Sequence, residues 1–255
     1  MNKFIKYFYA ILIFVFLYFP IITVVVFSFN NSRHSLIWQG FTLNWYKILF
    51  SNHSLLHVTF NSILLGTTVA TVSTFIGTII SVSLFRYKFF GRKIIHVLIF
   101  IFLLIPEIII ATTLLVFFNF FEIPLGFWTL FVSHVVLCIP IVSFTIYSRI
   151  ITLNKEIFEA AMDLGATDFV IFYKIIIPIL YQAIISGWLL SLTLSLDDII
   201  ISYFVSGPSF EILPLKIYAM VRLGIKPEVN ALCSLMLMLT LFTVIINYKS
   251  IFKKK

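Results

Sequence analysis

Residues 154–178 read NKEIFEAAMDLGATDFVIFYKIIIP and separate two long apolar runs. The segment opens like a helix, because Asn154 can cap a first turn that carries Glu156. Gly165 permits a sharp bend between two short helices, and Pro178 suits the first turn of the apolar helix that follows. The pattern predicts a helix–turn–helix knob that projects from a bundle of longer helices.

The composition around this segment is that of an integral membrane protein. Hydrophobic residues make up 61% of the 255 residues and charged residues 11%, and the mean hydropathy is +1.11. A soluble domain carries roughly 25% charged residues. A membrane-spanning helix needs about 20 apolar residues, so six spans with their links fill the chain. We expect an all-α transmembrane domain over residues 1–255, with spans at 7–29, 58–85, 94–120, 127–146, 179–205 and 229–246.

Positive charge is distributed unevenly between the two ends of these spans. Thirteen of the 18 Lys and Arg residues fall in the N-terminus, the second and fourth links and the C-terminus, and five fall in the other links. Cytoplasmic loops carry the excess of Lys and Arg, so both termini and the link 147–178 are expected in the cytoplasm. The basic residues flank apolar runs, which is typical of membrane topology in a lipid bilayer rather than of nucleic-acid binding.

A fixed spacing of residues runs through the link 147–178. Glu159-Ala160-Ala161 is followed after three residues by Gly165, and after nine more by Ile175-Ile176-Ile177-Pro178. This spacing resembles the EAA loop of ABC importer permeases, which reads E-A-A, three residues, G, nine residues, I-x-L-P. Ile177 stands where the family usually has Leu. We therefore call residues 147–178 the EAA loop.

This resemblance implies the type I (MetI-like) importer permease fold, with six transmembrane helices and cytoplasmic coupling helices. In that family the knob seats in a cleft of the ATP-hydrolysing subunit and transmits its movement to the membrane helices. ATP and Mg²⁺ are then bound by the partner, and the permease itself has no catalytic residue, cofactor or metal. The resemblance assigns ATPase coupling to Glu159, Ala160, Ala161, Gly165, Ile175 and Pro178.

Other segments resemble polyamine permeases, so that the resemblance covers nearly the whole chain. It is closest to the second, C-type permease subunits of spermidine/putrescine ABC importers. It implies a second permease subunit, two copies of an ABC ATPase, an extracytoplasmic polyamine-binding protein and a place in the cell inner membrane. The matching segments are Asn31-Ser32-Arg33, residues 38–42 (WQGFT), Trp45-Tyr46, Leu196-Asp197-Asp198, residues 206–218 (SGPSFEILPLKIY), Met220-Val221 and residues 227–231 (PEVNA).

Three acidic residues, Glu107, Asp197 and Asp198, lie inside expected spans. Carboxylates are costly in lipid and are candidates for function, and polyamines need them to pair with their ammonium groups. At a rise of about 1.5 Å per residue, Glu107 and Asp197 lie roughly 20 and 27 Å from the cytoplasmic ends of their spans. Asp197 and Asp198 cannot share one helical face, so at most one is expected to line a path. The alternative role for each acid is a structural bond to a neighbouring helix.

Trp45 and Tyr46 are the aromatic candidates for the substrate path. Aromatic faces cover methylene chains and cations, as passage of a polyamine requires. Both residues lie in the first outside link, where an interfacial aromatic belt is the alternative interpretation.

Rival functions are less well matched by these residues. The same fold could carry iron, thiamine or molybdate, but an anion path needs basic residues, whereas the ionisable residues inside the spans are acidic. A secondary transporter or channel acting alone is disfavoured by the long EAA loop and by the lack of an internal repeat. An intramembrane enzyme lacks a nucleophile or metal set, because His53 and His57 have metal-pair spacing without a third ligand.

Overall fold

A computed structural model describes residues 3–32, 37–154, 156–222 and 227–252, with side chains except at 3–6, 239 and 242–252. Some of the basic residues in the charge count above lie outside the described residues: Arg33, Lys155, Lys226 and Lys253–Lys255. The described chain is helical. Its helices are, in chain order, α1 (Lys3–Phe27), α2 (Asn44–Ser51), α3 (His53–Arg86), α4 (Arg92–Leu104), α5 (Glu107–Phe120), α6 (Phe127–Ile150), α7 (Glu156–Asp163), α8 (Asp168–Ile171), α9 (Ile177–Asp197), α10 (Ile200–Val205), α11 (Leu213–Arg222) and α12 (Pro227–Phe252).

The described helices account for four or five of the six expected membrane spans. Four are long and apolar enough to cross a bilayer: Tyr7–Phe27, His53–Arg86, Phe127–Ile150 and Asp168–Asp197. A fifth candidate is the pair α4 and α5, which is bent by 109° at its break. The sixth expected span, 229–246, falls in α12, whose side chains from residue 242 onward lie outside the description.

Two helices extend beyond the expected spans. α3 starts at His53, before the expected span 58–85, and α6 continues to Ile150, past the expected span 127–146. Hydropathy marks the lipid-contacting part of a helix, whereas backbone hydrogen bonds continue into the polar flanks.

The chain forms two compact units. The first comprises residues 1–59 and 216–255, and in it α12 packs against α1 and α2. The second comprises residues 60–215 and is built around the pair α6 and α9. In this unit α4 also packs on α6, and α10 packs on both α5 and α6.

Small residues allow close helix approach in the second unit. Val142 of α6 lies between Gly77 of α3 and Gly187 of α9, and a Cβ added at Gly77 would come within 2.7 Å of the Val142 Cγ1 atom. Helices in membranes gain most of their association energy from this kind of tight packing. The contact fixes α6, which carries several residues of the site described below.

Two expected straight spans are broken in the structure. The span 94–120 ends its first half at Leu104, and Ile105 and Pro106 are extended, with ψ near 129° and 133°. Proline disfavours helical conformation in the residue before it and has no amide hydrogen to donate. The second break follows Asp197, where Asp198 is extended with ψ 122° and α10 begins at Ile200.

The break at Pro106 corrects the expected depth of Glu107. That depth assumed one continuous helix from residue 94, but Glu107 is the first residue of α5, beyond a 109° bend. The rise along a straight helix therefore does not apply to it. For Asp197 the helix Asp168–Asp197 is continuous, so the expected distance along it stands.

The second half of the EAA loop is not a separate helix. After α8 the chain makes a π-helical turn over Phe172–Ile176, in which the Ile177 amide donates to the Phe172 carbonyl, and it continues directly into α9. Pro178 lies at the start of α9 and cannot donate to a carbonyl in the preceding turn. The wider turn is a local adjustment of the kind found at such interruptions.

Candidate coupling loop and translocation site

The first half of the EAA loop folds as α7, and Asn154 bonds to the first residue of this helix. The Asn154 side chain accepts a hydrogen bond from the Glu156 amide (3.3 Å) through Oδ1 and donates one to the Glu156 carboxylate (2.9 Å) through Nδ2. Phe158 is buried against the helices of the second unit and makes an edge contact with Phe85 of α3, with ring centroids 5.8 Å apart. These contacts attach α7 to the helix bundle.

The end of α7 depends on Gly165. Its φ is +80°, in the left-handed region that side chains other than glycine adopt at a cost. The Gly165 amide donates to the Met162 carbonyl (2.8 Å) and the Ala166 amide to the Ala161 carbonyl (3.0 Å). This is the hydrogen-bond pattern of a Schellman helix end. A Cβ at Gly165 would meet no atom of the chain within 4 Å, so backbone conformation, rather than close packing within the chain, selects glycine there.

The two alanines of the motif do not share one surface. Ala160 and Glu159 are exposed, whereas Ala161 is buried in a core cluster with Ile171 and Leu180. Of the two alanines that the resemblance assigns to ATPase coupling, only Ala160 lies on the surface of the chain. Successive positions of a helix point about 100° apart, so adjacent residues face different neighbours.

In the second half of the motif, the buried anchor is Ile176, which has no exposed surface, whereas Ile175 is half-buried and Pro178 is exposed. Residue 176 is the unspecified x of the I-x-L-P pattern. Packing of Ile176 holds the π turn against the core.

Two large apolar residues beside the motif are exposed and were not singled out from the sequence. Leu164 is 88% and Phe169 is 75% exposed, on either side of Gly165. Exposed apolar side chains that lie close together are candidates for contact with another protein. The sequence signal that could have identified these two residues is their position close to the predicted bend at Gly165.

A polar contact joins the second half of the EAA loop to the link after α3. Arg86 forms a salt bridge with Asp168, and the Tyr87 hydroxyl donates a hydrogen bond to the same carboxylate (3.1 Å). Burial raises the pKa of Tyr87, and the hydrogen bond to Asp168 raises it further. Beside this contact lies a cavity of about 200 Å³, whose lining includes Lys88 and Glu159.

The three membrane acids lie in the second unit, at its two helix breaks. Glu107 opens α5, and Asp197 and Asp198 lie between α9 and α10. The Glu107 carboxyl is close enough to those of Asp198 and Asp197 for electrostatic interaction. Asp197 is exposed and Glu107 is half-buried. The structure thus brings together the three acids that the sequence singled out.

Asp198 is enclosed by hydrogen-bond donors and is 6% exposed. Its carboxylate accepts the amides of Ile201 (3.2 Å) and Ser202 (2.8 Å) and the Ser202 hydroxyl (2.8 Å). His134 of α6 also approaches, with Nε2 3.4 Å from Oδ2. These bonds satisfy amides at the start of α10 that have no helical partner. The two adjacent aspartates therefore differ in environment, because Asp198 is bonded inside the unit and Asp197 is not enclosed.

Trp45 and Tyr46 belong to the first unit, where both are half-buried and hydrogen-bonded. The Trp45 indole donates to the Asn30 carbonyl (2.7 Å). The Tyr46 hydroxyl pairs with the Ser28 hydroxyl (2.7 Å), and its ring lies 5.3 Å from that of Phe29. These contacts hold α2 against the end of α1.

Asn30, which sequence reasoning overlooked, organises the described part of the link between α1 and α2. It is fully buried, its side chain donates to the Ile37 carbonyl (2.7 Å), and it accepts the Gln39 amide (2.8 Å). Asn30 and Phe41 form an isolated antiparallel bridge. A single asparagine in a short polar segment gives no pattern from which this role could be predicted.

The sequence and fold were compared with known proteins. Residues 73–252 match the family described as binding-protein-dependent transport system inner membrane component. The chain belongs to this family. It is 47% identical to the spermidine/putrescine transport system permease protein PotC of Escherichia coli strain K12, over 91% of this chain and 88% of that protein. Identity to PotC of Haemophilus influenzae is 43%, over 94% of this chain and 93% of that protein. The putrescine transport system permease protein PotI of E. coli strain K12 is 38% identical, over 88% of this chain and 82% of that protein.

Solved structures share the fold. A bacterial ABC transporter involved in the import of the acidic polysaccharide alginate aligns with a TM-score of 0.76 at 15% identity, over 96% of this chain and 94% of that one. The MetNI methionine ABC transporter aligns with a TM-score of 0.57 at 17% identity, over 78% of this chain and 95% of that one. The predicted MetI-like ABC permease fold and the predicted resemblance to polyamine permeases are both confirmed.

The contrast between the two aspartates yields a stability prediction. Asp198→Asn should lower the thermal unfolding temperature of the detergent-purified protein, because an amide nitrogen cannot accept the backbone amides that the carboxylate binds. One lost hydrogen bond to a charged group corresponds to about 1.5–3 kcal/mol. Asp197→Asn is the matched control and should unfold near the unmodified temperature. Equal unfolding temperatures for the two variants would contradict the described difference in environment.

Proposed function

We propose that this chain is the membrane-spanning permease subunit of an ATP-driven importer that carries polyamines, of the spermidine or putrescine type, into the cytoplasm. The observation that carries the proposal is 47% identity with the E. coli spermidine/putrescine permease over nearly the whole chain. The membrane acids add a physical argument. Glu107 and Asp197 offer carboxylates that are not enclosed by the chain, and such groups can pair with the ammonium groups of a polyamine.

The translocation role is assigned to Glu107 and Asp197, with Asp198 as their structural support. A charged group in the membrane faces protein or a water-filled path, and an exposed carboxylate beside a broken helix fits the second case. Irregular backbone at membrane depth is tolerated where it lines a cavity or is buried in protein. Trp45 and Tyr46 remain aromatic candidates for the path, with their polar atoms held by Asn30 and Ser28.

We further propose that the chain forms one permease domain over residues 1–255 with six spans, α12 supplying the sixth. Both termini then lie in the cytoplasm, and the protein is a multi-pass component of the cell inner membrane. The uneven distribution of Lys and Arg supports this orientation.

The proposed assembly contains a second permease subunit, two copies of an ABC ATPase and an extracytoplasmic polyamine-binding protein. ATP and Mg²⁺ are bound by the ATPase, so that this chain transports without acting as an enzyme. The proposed coupling surface is formed or shaped by Glu159, Ala160, Gly165, Ile175 and Pro178. Ala161 holds α7 in place by packing in the core. The exposed Leu164 and Phe169 extend that surface, because burying large apolar side chains is a main source of binding energy.

Topology is tested with single cysteines in a Cys233→Ser background, in which Cys138 remains buried. Cysteines introduced at Asn52 and Ser209 should react with an impermeant thiol reagent added outside intact cells. A cysteine at Thr167, which is exposed in the EAA loop, should react after the membrane is permeabilised and not before. Labelling of Thr167→Cys in sealed cells would overturn the proposed orientation.

Coupling is tested at Gly165 and Glu159. Gly165→Val should abolish transport while leaving membrane insertion intact, because a β-branched residue is strongly disfavoured at φ +80°. Gly165→Asn is the matched control and should retain most activity, since asparagine tolerates this conformation. Glu159→Lys should abolish substrate-stimulated ATP hydrolysis. Glu159→Gln removes the charge and keeps the side-chain shape, so it shows which of the two matters. Full transport by Gly165→Val and Glu159→Lys would show that the EAA loop is not the coupling element.

The substrate role is tested by uptake of labelled spermidine and putrescine into cells that lack other polyamine importers. Glu107→Gln and Asp197→Asn keep the side-chain shape and remove the charge. Each should slow uptake by about ten- to a hundredfold, corresponding to one charge-assisted hydrogen bond, without lowering the protein level. Basal ATP hydrolysis should persist, because the EAA loop is unchanged. Uptake at the unmodified rate by both variants would contradict a role of these acids in passage.

A further inference from the structure

A wholly buried histidine spans the break between α9 and α10. His134 of α6 has no exposed surface. Its Nδ1 atom lies 2.8 Å from the Ser195 hydroxyl, in the last turns of α9, and its Nε2 atom lies 3.0 Å from the Ser202 hydroxyl, in the first turn of α10. One imidazole ring therefore connects the two helices on either side of the interruption.

The hydrogen bonds around this ring can all be satisfied at once. Ser202 donates its hydroxyl hydrogen to Asp198 (2.8 Å), so that its oxygen is free to accept from Nε2–H of His134. Ser195 can then pair with Nδ1, because each imidazole nitrogen acts as a donor or an acceptor. Asp198 in turn accepts the Ile201 and Ser202 amides. Both ring nitrogens of His134 and both oxygens of Asp198 thus have partners.

A second contact from α6 holds the other end of α10. The Thr129 hydroxyl donates to the Val205 carbonyl (2.8 Å), and both residues are buried. The short helix α10 is therefore bonded to α6 at its first turn by His134 and at its last residue by Thr129. Such a polar network inside an apolar core orders the groups that it joins, because an unpaired partner there is costly.

We propose that His134 is a positioning residue for transport: it fixes the break between α9 and α10 so that Asp198 is held inward while Asp197 is presented outward. The transport part rests on the proposed function, in which Asp197 meets the substrate. The positioning part is a property of the chain alone. Pro106 disfavours helix at the other break through its own backbone. Residues 198 and 199 contain no proline or glycine, and the described side-chain bonds at that break come from Asp198 itself and from His134.

The first test measures how accessible the break between α9 and α10 is to a thiol reagent, in the absence of substrate. In a Cys233→Ser background, Ile199→Cys places a thiol at the break, where the native side chain is exposed, and Thr193→Cys places one on the exposed side of α9 before the break. His134→Phe keeps an aromatic ring and removes both hydrogen bonds. It should change the rate at which N-ethylmaleimide labels residue 199 severalfold and leave the rate at residue 193 unchanged. His134→Gln, which again carries a donor and an acceptor, should restore part of the original rate.

The second test measures transport in the same variants with native Ile199 and Thr193. His134→Phe should lower spermidine uptake roughly tenfold or more at an unchanged protein level, because a displaced Asp197 would no longer form its charge-assisted hydrogen bond with the polyamine. His134→Gln should recover part of the uptake. Ser195→Ala and Ser202→Ala each remove one bond of the network and should reduce uptake less. If His134→Phe does not insert into the membrane, Ser195→Ala and Ser202→Ala serve as the test. The proposal is overturned if both alanine variants show normal uptake and normal labelling at residue 199.

The outcomes separate this inference from the proposed function. Altered labelling at residue 199 together with no polyamine uptake by the unmodified protein would support the positioning role and reject the polyamine substrate. If His134→Phe is labelled at residue 199 and takes up spermidine at the same rates as the unmodified protein, the positioning role is rejected and the substrate assignment is unaffected. A parallel change in labelling at residues 193 and 199 would indicate general loosening of the helices and would also reject it.

Discussion

Backbone hydrogen bonding in an apolar surrounding is the constraint on which this structure depends. In a bilayer an amide or carbonyl without a partner is costly, so a spanning chain remains helical wherever it can. This chain interrupts its helices at Ile105–Pro106 and at Asp198–Ile199. Pro106 has no amide to satisfy, and at the second break the Asp198 carboxylate replaces the missing carbonyls for two amides of α10. The two interruptions thus meet the hydrogen-bonding requirement of the backbone in different ways.

The solution at the second break also explains why two adjacent aspartates differ. The Asp198 carboxylate is bonded to two backbone amides and to the Ser202 hydroxyl, lies 3.4 Å from His134 Nε2, and is buried within the unit. Asp197 is the last residue of α9, and among the described residues no such donors enclose it. Under the proposed function, the carboxylate that holds the start of α10 is therefore not the one that binds and releases the polyamine.

A continuous helix connects the two regions of the second unit for which a function is proposed, the EAA loop and the membrane acids. Asp168, at one end, is bound by Arg86 beside the EAA loop, and Asp197 is at the other end of the same uninterrupted run. The π turn over Phe172–Ile176 accommodates Pro178 without ending the helix. A helix moves as a stiffer unit than a loop, because hydrogen bonds join each of its turns to the next. This run is the physical connection on which the proposed coupling of ATP hydrolysis to passage depends.

The sequence by itself determined the membrane class, the family motif, the bend at Gly165 and the identity of the three acids. These features follow from local chemistry: apolar length, a residue that tolerates positive φ, and the cost of a carboxylate in lipid. Tertiary structure alone decided that Ala161 faces inward, that Asp198 is buried while Asp197 is exposed, and that His134 joins α9 to α10. Those outcomes depend on which side chains from distant segments meet. His134 and Ser202 are far apart along the chain, and no local pattern of either residue reports the contact between them.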